Sequence, residues 1–345
     1  MSTINPFIYD DYTTQPPAER REELLRPLLH DPQIHRGTTW YAHTWAAIVW
    51  SHLTEPGDIT AGSLTGLFGY APALELVMTS TADEIRERML VDHGWQMMDP
   101  QDLDDGLKRW RPRYSIQSTE RSIALATRSG IHVLTNWDEQ WPEGFDRLGS
   151  AAPHALWVRG DVEVLHLQGV AIVGARAATS YGEHVAQELA ADLAQHHLIV
   201  SGAAYGIDGA AHRAALAVGG KTVAYLAGGS DRPYPAGHAN LIERIAAAGA
   251  VVSEVPPGSA PTKWRFLARN RLIAAHADAV VVVEAGYRSG SLNTAGHAVS
   301  LGVPLGAVPG PVTSAASAGC HRIIQEMDGT LITSAADIEK MMVQP

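Results

Sequence analysis

GVAIVGAR, residues 169–176, is a short apolar run ending in Gly-x-Arg, and VPLGAVPGP, residues 303–311, is a second run ending in Pro-Gly-Pro. Between them apolar runs alternate with amphipathic ones across short Gly-rich junctions. Val170–Val173, His197–Val200, Thr222–Leu226, Ala250–Glu254, Ala279–Glu284 and Pro304–Val308 read as strands, with Thr330–Ile332 as a last short one. Near-continuous Val, Ile and Ala without polar alternation marks strands covered on both faces, hence parallel ones. Helices are predicted between them over 180–196, 209–218, 238–248, 269–276, 292–301 and 320–327. Ser180 and Glu183 have the spacing of a capping box, and Asp208 is placed to cap the second helix. This alternation specifies the α/β class with a doubly wound, mostly parallel sheet.

Upstream the pattern changes. Thr119–Ser129 reads as a helix ended by Gly130, and Ile131–Thr135 and Ala155–Arg159 as short strands. Before residue 112 the spacing is helical, over Trp45–Leu53, Ala61–Gly69, Pro72–Met78 and Ala82–Met89. The expected organisation is a flexible lead-in over 1–35, solvated and holding one short helix at Ala18–Leu29, then a small helical domain over 36–112 and the α/β domain over 113–340. A length of 345 residues suits two or three domains, and 46% hydrophobic residues supply a sizeable core. The single Cys320 excludes an intramolecular disulfide framework and fits a reducing compartment. The start has no secretory pattern, and no apolar run reaches the roughly 18 residues of a membrane span. A cytoplasmic protein without membrane contact is expected. The net charge of −11 argues against whole-surface attraction to nucleic acid but leaves room for a local basic groove.

In a doubly wound sheet ligands bind beyond the carboxyl ends of the strands. Gly174-Ala175-Arg176 follows the first strand; it is either a plain tight turn or a phosphate cradle with Arg176 as the fork. Ser201-Gly202 and Gly206-Ile207-Asp208 repeat the arrangement, and Ser289-Gly290-Ser291 makes a third such turn. Glu254 and Glu284, at strand ends, are paired carboxylates, caps of helix termini, or partners of Arg269 and Arg271. The most informative junction is KWRFLARNR, residues 263–271: Lys263, Arg265, Arg269 and Arg271 with Trp264 and Phe266 interleaved. Cations for a phosphate backbone and rings for stacked bases are what a single-stranded nucleic-acid groove needs; the alternative is a solvated loop with Phe266 in the core. Cys320-His321 has no partner at metal-ligand spacing, and neither a Walker A sequence nor a Gly-x-Ser-x-Gly elbow is present. No metal and no cofactor are expected.

The ordered motifs VAIVGAR, SGAAYGID with AAHRAAL, GGKTVAYLAGG, YP at 234–235, VVSEVPPG, FLARNRLIA, VVVEAGYRSGSLNTA and VPGPVTS resemble the DprA/Smf family of DNA-processing proteins, over roughly 119–338. The helical segment with WSHLTEPGDITAGSL resembles the sterile-alpha-motif-like domain of many members. The resemblance implies an extended Rossmann-like fold and a non-enzymatic role. In that role the protein binds and protects incoming single-stranded DNA, forms a homodimer and helps load the RecA recombinase during natural transformation and recombination. By position it implies DNA-binding roles for Gly174, Arg176, Ser201, Gly202, Gly206, Lys263, Phe266, Arg269, Asn270, Arg271, Ser289, Gly290 and Ser291. Leu267 stands where a Pro is common, Cys320-His321 where Thr-Asn or Cys-Asn is common, and His297 follows an unusual Gly296. The winged-helix domain that some members carry at the C-terminus has no expected counterpart. The rival reading is an enzyme, a nucleoside monophosphate phosphoribohydrolase of the lysine-decarboxylase-like Rossmann group, whose PGGxGT turn has only a loose counterpart in SGSLNT at 289–294.

Overall fold

The computed structural model describes residues 13–31, 36–94 and 99–343, so 1–12 and 32–35 of the expected lead-in lie outside the described residues. The chain divides into two compact units. One comprises the chain up to Glu139 with Gly149–Trp157 and Glu254–Gly258; the other comprises Gln140–Leu148, Val158–Ser253 and Ser259–Pro345.

The first unit is mainly helical: Ala18–Leu25, Thr38–Leu53, Ile59–Phe68, Tyr70–Thr79, Ala82–His93, Pro100–Trp110 and Ile116–Arg128, followed by strand β1, Ile131–Leu134. Trp45, Trp50 and Trp110 are fully buried at its centre. A buried indole N–H usually finds a partner; among the described residues Trp50 and Trp110 have one and Trp45 has none. Trp50 donates to the Tyr70 carbonyl at 3.0 Å and Trp110 to Asp58 at 3.0 Å. Asp58 is also the N-cap of the helix from Ile59, accepting the Ala61 N–H. The helix at Ala18–Leu25 is not a solvated tail: Leu25 and the following Leu28 and Leu29 are buried in this core. The sequence suggested otherwise because the helix is dense in charge, and its apolar stripe is only a few residues wide.

In the second unit every expected strand is present: β2 (Leu156–Gly160, whose last residues belong here), β3 (Gly169–Val173), β4 (Leu198–Ser201), β5 (Thr222–Leu226), β6 (Ala250–Ser253), β7 (Ala279–Val282), β8 (Leu305–Ala307) and β9 (Thr330–Leu331). Their order is β2-β6-β5-β4-β3-β7-β8-β9. The pairs from β6 through β9 are parallel, with Val170 opposite Ile199 on one side and Ala279 on the other. β3 through β7 are buried along their whole length, as unbroken apolar runs require. The winding reverses at β3, which has β4 on one side and β7 on the other. A crevice therefore opens between the carboxyl ends of β3 and β7.

Two expected caps are different. Thr179, not Ser180, caps the helix Ser180–Leu193, accepting the Gly182 N–H. Asp208 caps nothing: the next helix already runs from Ile207 to Ala217, and the Asp208 carboxylate turns back to accept the N–H groups of Gly202 at 3.2 Å and Ala204 at 3.4 Å. The largest departure is the segment read as a junction. Lys263–His276 is one continuous helix, capped by Thr262, whose hydroxyl accepts the Arg265 N–H. An unexpected helix, Ala335–Val343, follows β9.

Candidate nucleic-acid interface

A cleft of about 440 Å³ lies at the sheet's reversal point. Three elements build it. The turn after β3 contributes Gly174 to Ala177. The turn after β7 contributes Gly286 and Arg288 to Ser291. The helix Lys263–His276 contributes Phe266, Leu267, Arg269, Asn270 and Ile273. Ala204 and Asp208, after β4, complete the wall. The charges are Arg176, Arg269 and Arg288 against Asp208, a local excess of cations on a chain of net charge −11.

The turn bearing Arg176 is held from beneath by Glu284. This carboxylate is 3% exposed, and its two oxygens accept the Thr179 N–H at 2.8 Å and hydroxyl at 2.5 Å. Its backbone carbonyl accepts the Ala175 N–H at 2.7 Å. Of the roles open to Glu284 from sequence, it fills the cap of a helix terminus.

Arg269 forms the floor. It is 5% exposed, its Nη1 donates to the Tyr225 carbonyl, and its Nε has no hydrogen-bond partner among the described residues. Burial pushes its guanidinium down to about 10, with the Asp208 charge opposing the shift, so it stays charged at neutral pH. Burial likewise raises the Asp208 carboxyl above its ordinary value, while Arg269 and the N–H groups of Ala204, Gly202 and Gly174 hold it down.

Phe266 is half-buried. The Arg176 guanidinium lies over its ring, 4.9 Å from the centroid, Arg269 is at 6.0 Å, and the Tyr234 ring is 5.5 Å away. Phe266 is thus a wall of the cleft and not a core residue. Asn270 donates to the Asn293 side chain at 3.1 Å and to the Gly290 carbonyl at 3.4 Å. Because that carbonyl can only accept, it fixes which end of the amide faces it. The Ser289 and Ser291 hydroxyls are 2.7 Å apart at the start of the helix Ser291–Ser300.

The structure thus brings together Gly174, Arg176, Phe266, Arg269, Asn270, Ser289, Gly290 and Ser291. The remaining expected site residues stand elsewhere. Ser201 is fully buried and donates to the Ile172 carbonyl at 2.6 Å. Gly202 is buried against Arg269, where an added Cβ would be 2.0 Å from Nη1. Gly206 packs on the Ala175 carbonyl. Arg271 is buried and donates to the Ala268 carbonyl. Lys263 is exposed outside the lining. It nonetheless precedes Phe266 by three residues and Leu267 by four, so helical spacing puts it above them on the cleft side. Arg288, in the lining, was missed, as was the contact of Tyr234, outside the lining, with Phe266. Arg288 stands within the quoted AGYRSGS motif. Tyr234 is 29 residues from the nearest basic residue of the 263–271 segment, and nothing local in the sequence joins them.

The fold and the cleft define a doubly wound α/β protein with a cationic, aromatic-walled crevice at its switch point. The chain belongs to the family described as DNA recombination-mediator protein A, whose sequence model matches residues 132–343. It is similar to the putative DNA processing protein DprA of Mycobacterium tuberculosis, 50% identical over 239 residues, which are 66% of this chain and 61% of that protein. It is also similar to DprA of Bacillus subtilis, 34% identical over 63% of this chain and 73% of that one. The chain thus spans about three fifths of the length of the M. tuberculosis relative. Among solved structures it is similar to DNA processing protein A of Streptococcus pneumoniae, with TM-score 0.68 and 28% identity over 86% of this chain and 97% of that one. It is likewise similar to that of Helicobacter pylori, solved for its single-stranded DNA binding mode, with TM-score 0.56 and 31% identity over 62% and 97%. No helix among the described residues is long and apolar enough to cross a membrane.

Proposed function

We propose that this chain binds single-stranded DNA in the cleft at the β3–β7 switch point. The carrying observation is the cleft itself: Arg176, Arg269 and Arg288 stand around the half-buried Phe266 beside the Ser289-Gly290-Ser291 turn. Cations meet phosphates, and a ring meets a base only when that base is free of its partner strand. The relatives named above support the reading. Mobility shift at matched salt should show preference for single strands; equal affinity for duplex counts against it. Arg176→Ala and Lys263→Ala should each flatten the salt dependence, by roughly 0.7 in the log–log slope per lost phosphate contact. An unchanged slope in both variants would place the strand elsewhere.

The ring of Phe266 has a separate test. Phe266→Ala should cost about 1–3 kcal/mol of single-strand affinity and leave the melting temperature nearly in place, because the residue is half-buried. A core phenylalanine would instead cost about 3–5 kcal/mol of stability.

The wider role we infer is that of a cytoplasmic, non-enzymatic mediator that protects incoming single strands, acts as a homodimer and helps load RecA during transformation and recombination. Recombinase-filament assembly on strands coated with single-strand-binding protein tests the loading step, and sedimentation at micromolar concentration tests the dimer. Against the phosphoribohydrolase reading, both oxygens of the strand-end Glu284 are engaged by Thr179. Release of free base from nucleoside monophosphates would overturn the non-enzymatic assignment.

A further inference from the structure

We propose that the strand does not end at the cleft but continues over a second stacking platform formed by Tyr234 and Trp264, flanked by Arg232 and Lys263. The inference rests on the single-strand reading above and extends it to residues outside the cleft lining.

Trp264 is 77% exposed and Tyr234 45% exposed. Leaving a large ring almost wholly in water forgoes the burial that ordinarily places it in a core. Both rings are tied to the cleft. Tyr234 stands 5.5 Å from Phe266, at an interplanar angle of 52°. Trp264 precedes the cleft-lining Leu267 by three residues on the same helix, so it neighbours that edge of the lining and lies more than half a turn from Phe266. Exposed cations alternate with these rings: Lys263 is next to Trp264, and the Arg232 side chain, two residues before Tyr234, is 77% exposed. One carboxylate, Asp231, faces Arg232 at 3.6 Å. On an acidic chain, a rim of alternating cations and rings matches the chemistry of an unpaired polynucleotide, which offers a phosphate and a base at every step.

Phe266 shows why a second platform is needed. Arg176 lies over its ring and Tyr234 stands against it, so a base entering the cleft displaces Arg176 or stacks beyond Tyr234. The outer face of Tyr234 takes the next base, and Trp264 a further one.

The test uses strand length. Wild type, Tyr234→Ala, Trp264→Ala and the double variant are titrated with thymidine oligomers of about four and about sixteen nucleotides, the range over which single-strand sites vary. The variants should bind the short oligomer like wild type. On the long one each should lose about five-fold or more in affinity, and Tyr234→Phe and Trp264→Phe should restore it. Unchanged melting temperatures are expected, since both rings are exposed. Unchanged affinity for the long oligomer in the double variant overturns the platform and leaves the cleft reading intact. Equal losses at both lengths also overturn it, by making the two rings part of the cleft. Failure of wild type to bind either oligomer removes the single-strand reading, and the platform with it.

Discussion

Arg269→Ala should destabilise the α/β unit by about 3–5 kcal/mol, the cost of removing one member of a buried charge pair. The guanidinium is 5% exposed and donates to the Tyr225 carbonyl. Its positive charge opposes the burial that raises Asp208. Without it, Asp208 is a buried carboxylate held only by N–H groups, those of Gly202 and Ala204 in its own loop and of Gly174 after β3. The pH dependence has a definite sign. A carboxyl whose folded pKa exceeds its unfolded value, here the ordinary 3.8, costs nothing below that value. The cost grows as pH rises from there towards the folded pKa. Loss of Arg269 raises the folded pKa further, so the deficit of the variant relative to wild type should be larger at about pH 7 than at about pH 4. Urea denaturation at the two pH values measures it. Adding Asp208→Asn should recover much of the loss, because it removes the uncompensated charge. A deficit independent of pH and unrelieved by Asp208→Asn would mean that Arg269 acts through packing alone.

Arg269 also marks the boundary of what the sequence reveals. The sheet was legible because fully buried parallel strands leave unbroken apolar runs, and Ala279–Val282 can hardly be anything else. Helix starts were less so. KWRF at 263–266 mixes cations and rings without an apolar stripe, so the helix there rests on its Thr262 cap and on tertiary packing, and only the cap is written locally. Thr179 and Ser180 are equally good caps on paper; Thr179 takes the role because Glu284, 105 residues away, receives its N–H and hydroxyl. Motif position brought eight of the expected site residues to one cleft but could not separate those facing a ligand from those supporting them. Ser201, Gly202 and Gly206 belong to the same motif as the cleft-lining Ala204 and Asp208, yet they hold neighbouring loops. The pairing of Tyr234 with Phe266 depends on how two distant loops meet.

That distinction between facing and supporting makes Gly206→Ala the sharpest expected result. Gly206 has φ +73° and ψ −127°, a region that residues with a Cβ avoid at a cost of about 1–3 kcal/mol. An added Cβ would also stand 2.2 Å from the Ala175 carbonyl oxygen and 2.7 Å from that of Arg176. Those are backbone atoms and cannot swing aside as a side chain can, so the turn that carries Arg176 must move. Overpacking of this kind adds about 1–3 kcal/mol more. Gly206→Ala should therefore lower stability and single-strand affinity together, with affinity falling at least as far as in Arg176→Ala. Gly290→Ala is the matched contrast. Gly290 lines the same cleft with ordinary helical dihedrals, and its added Cβ meets nothing within 4 Å. It should melt like wild type, and any loss of affinity would report a close approach of the strand. If Gly206→Ala keeps its melting temperature and loses only affinity, Gly206 faces the ligand directly, and the supporting role assigned to it here is wrong.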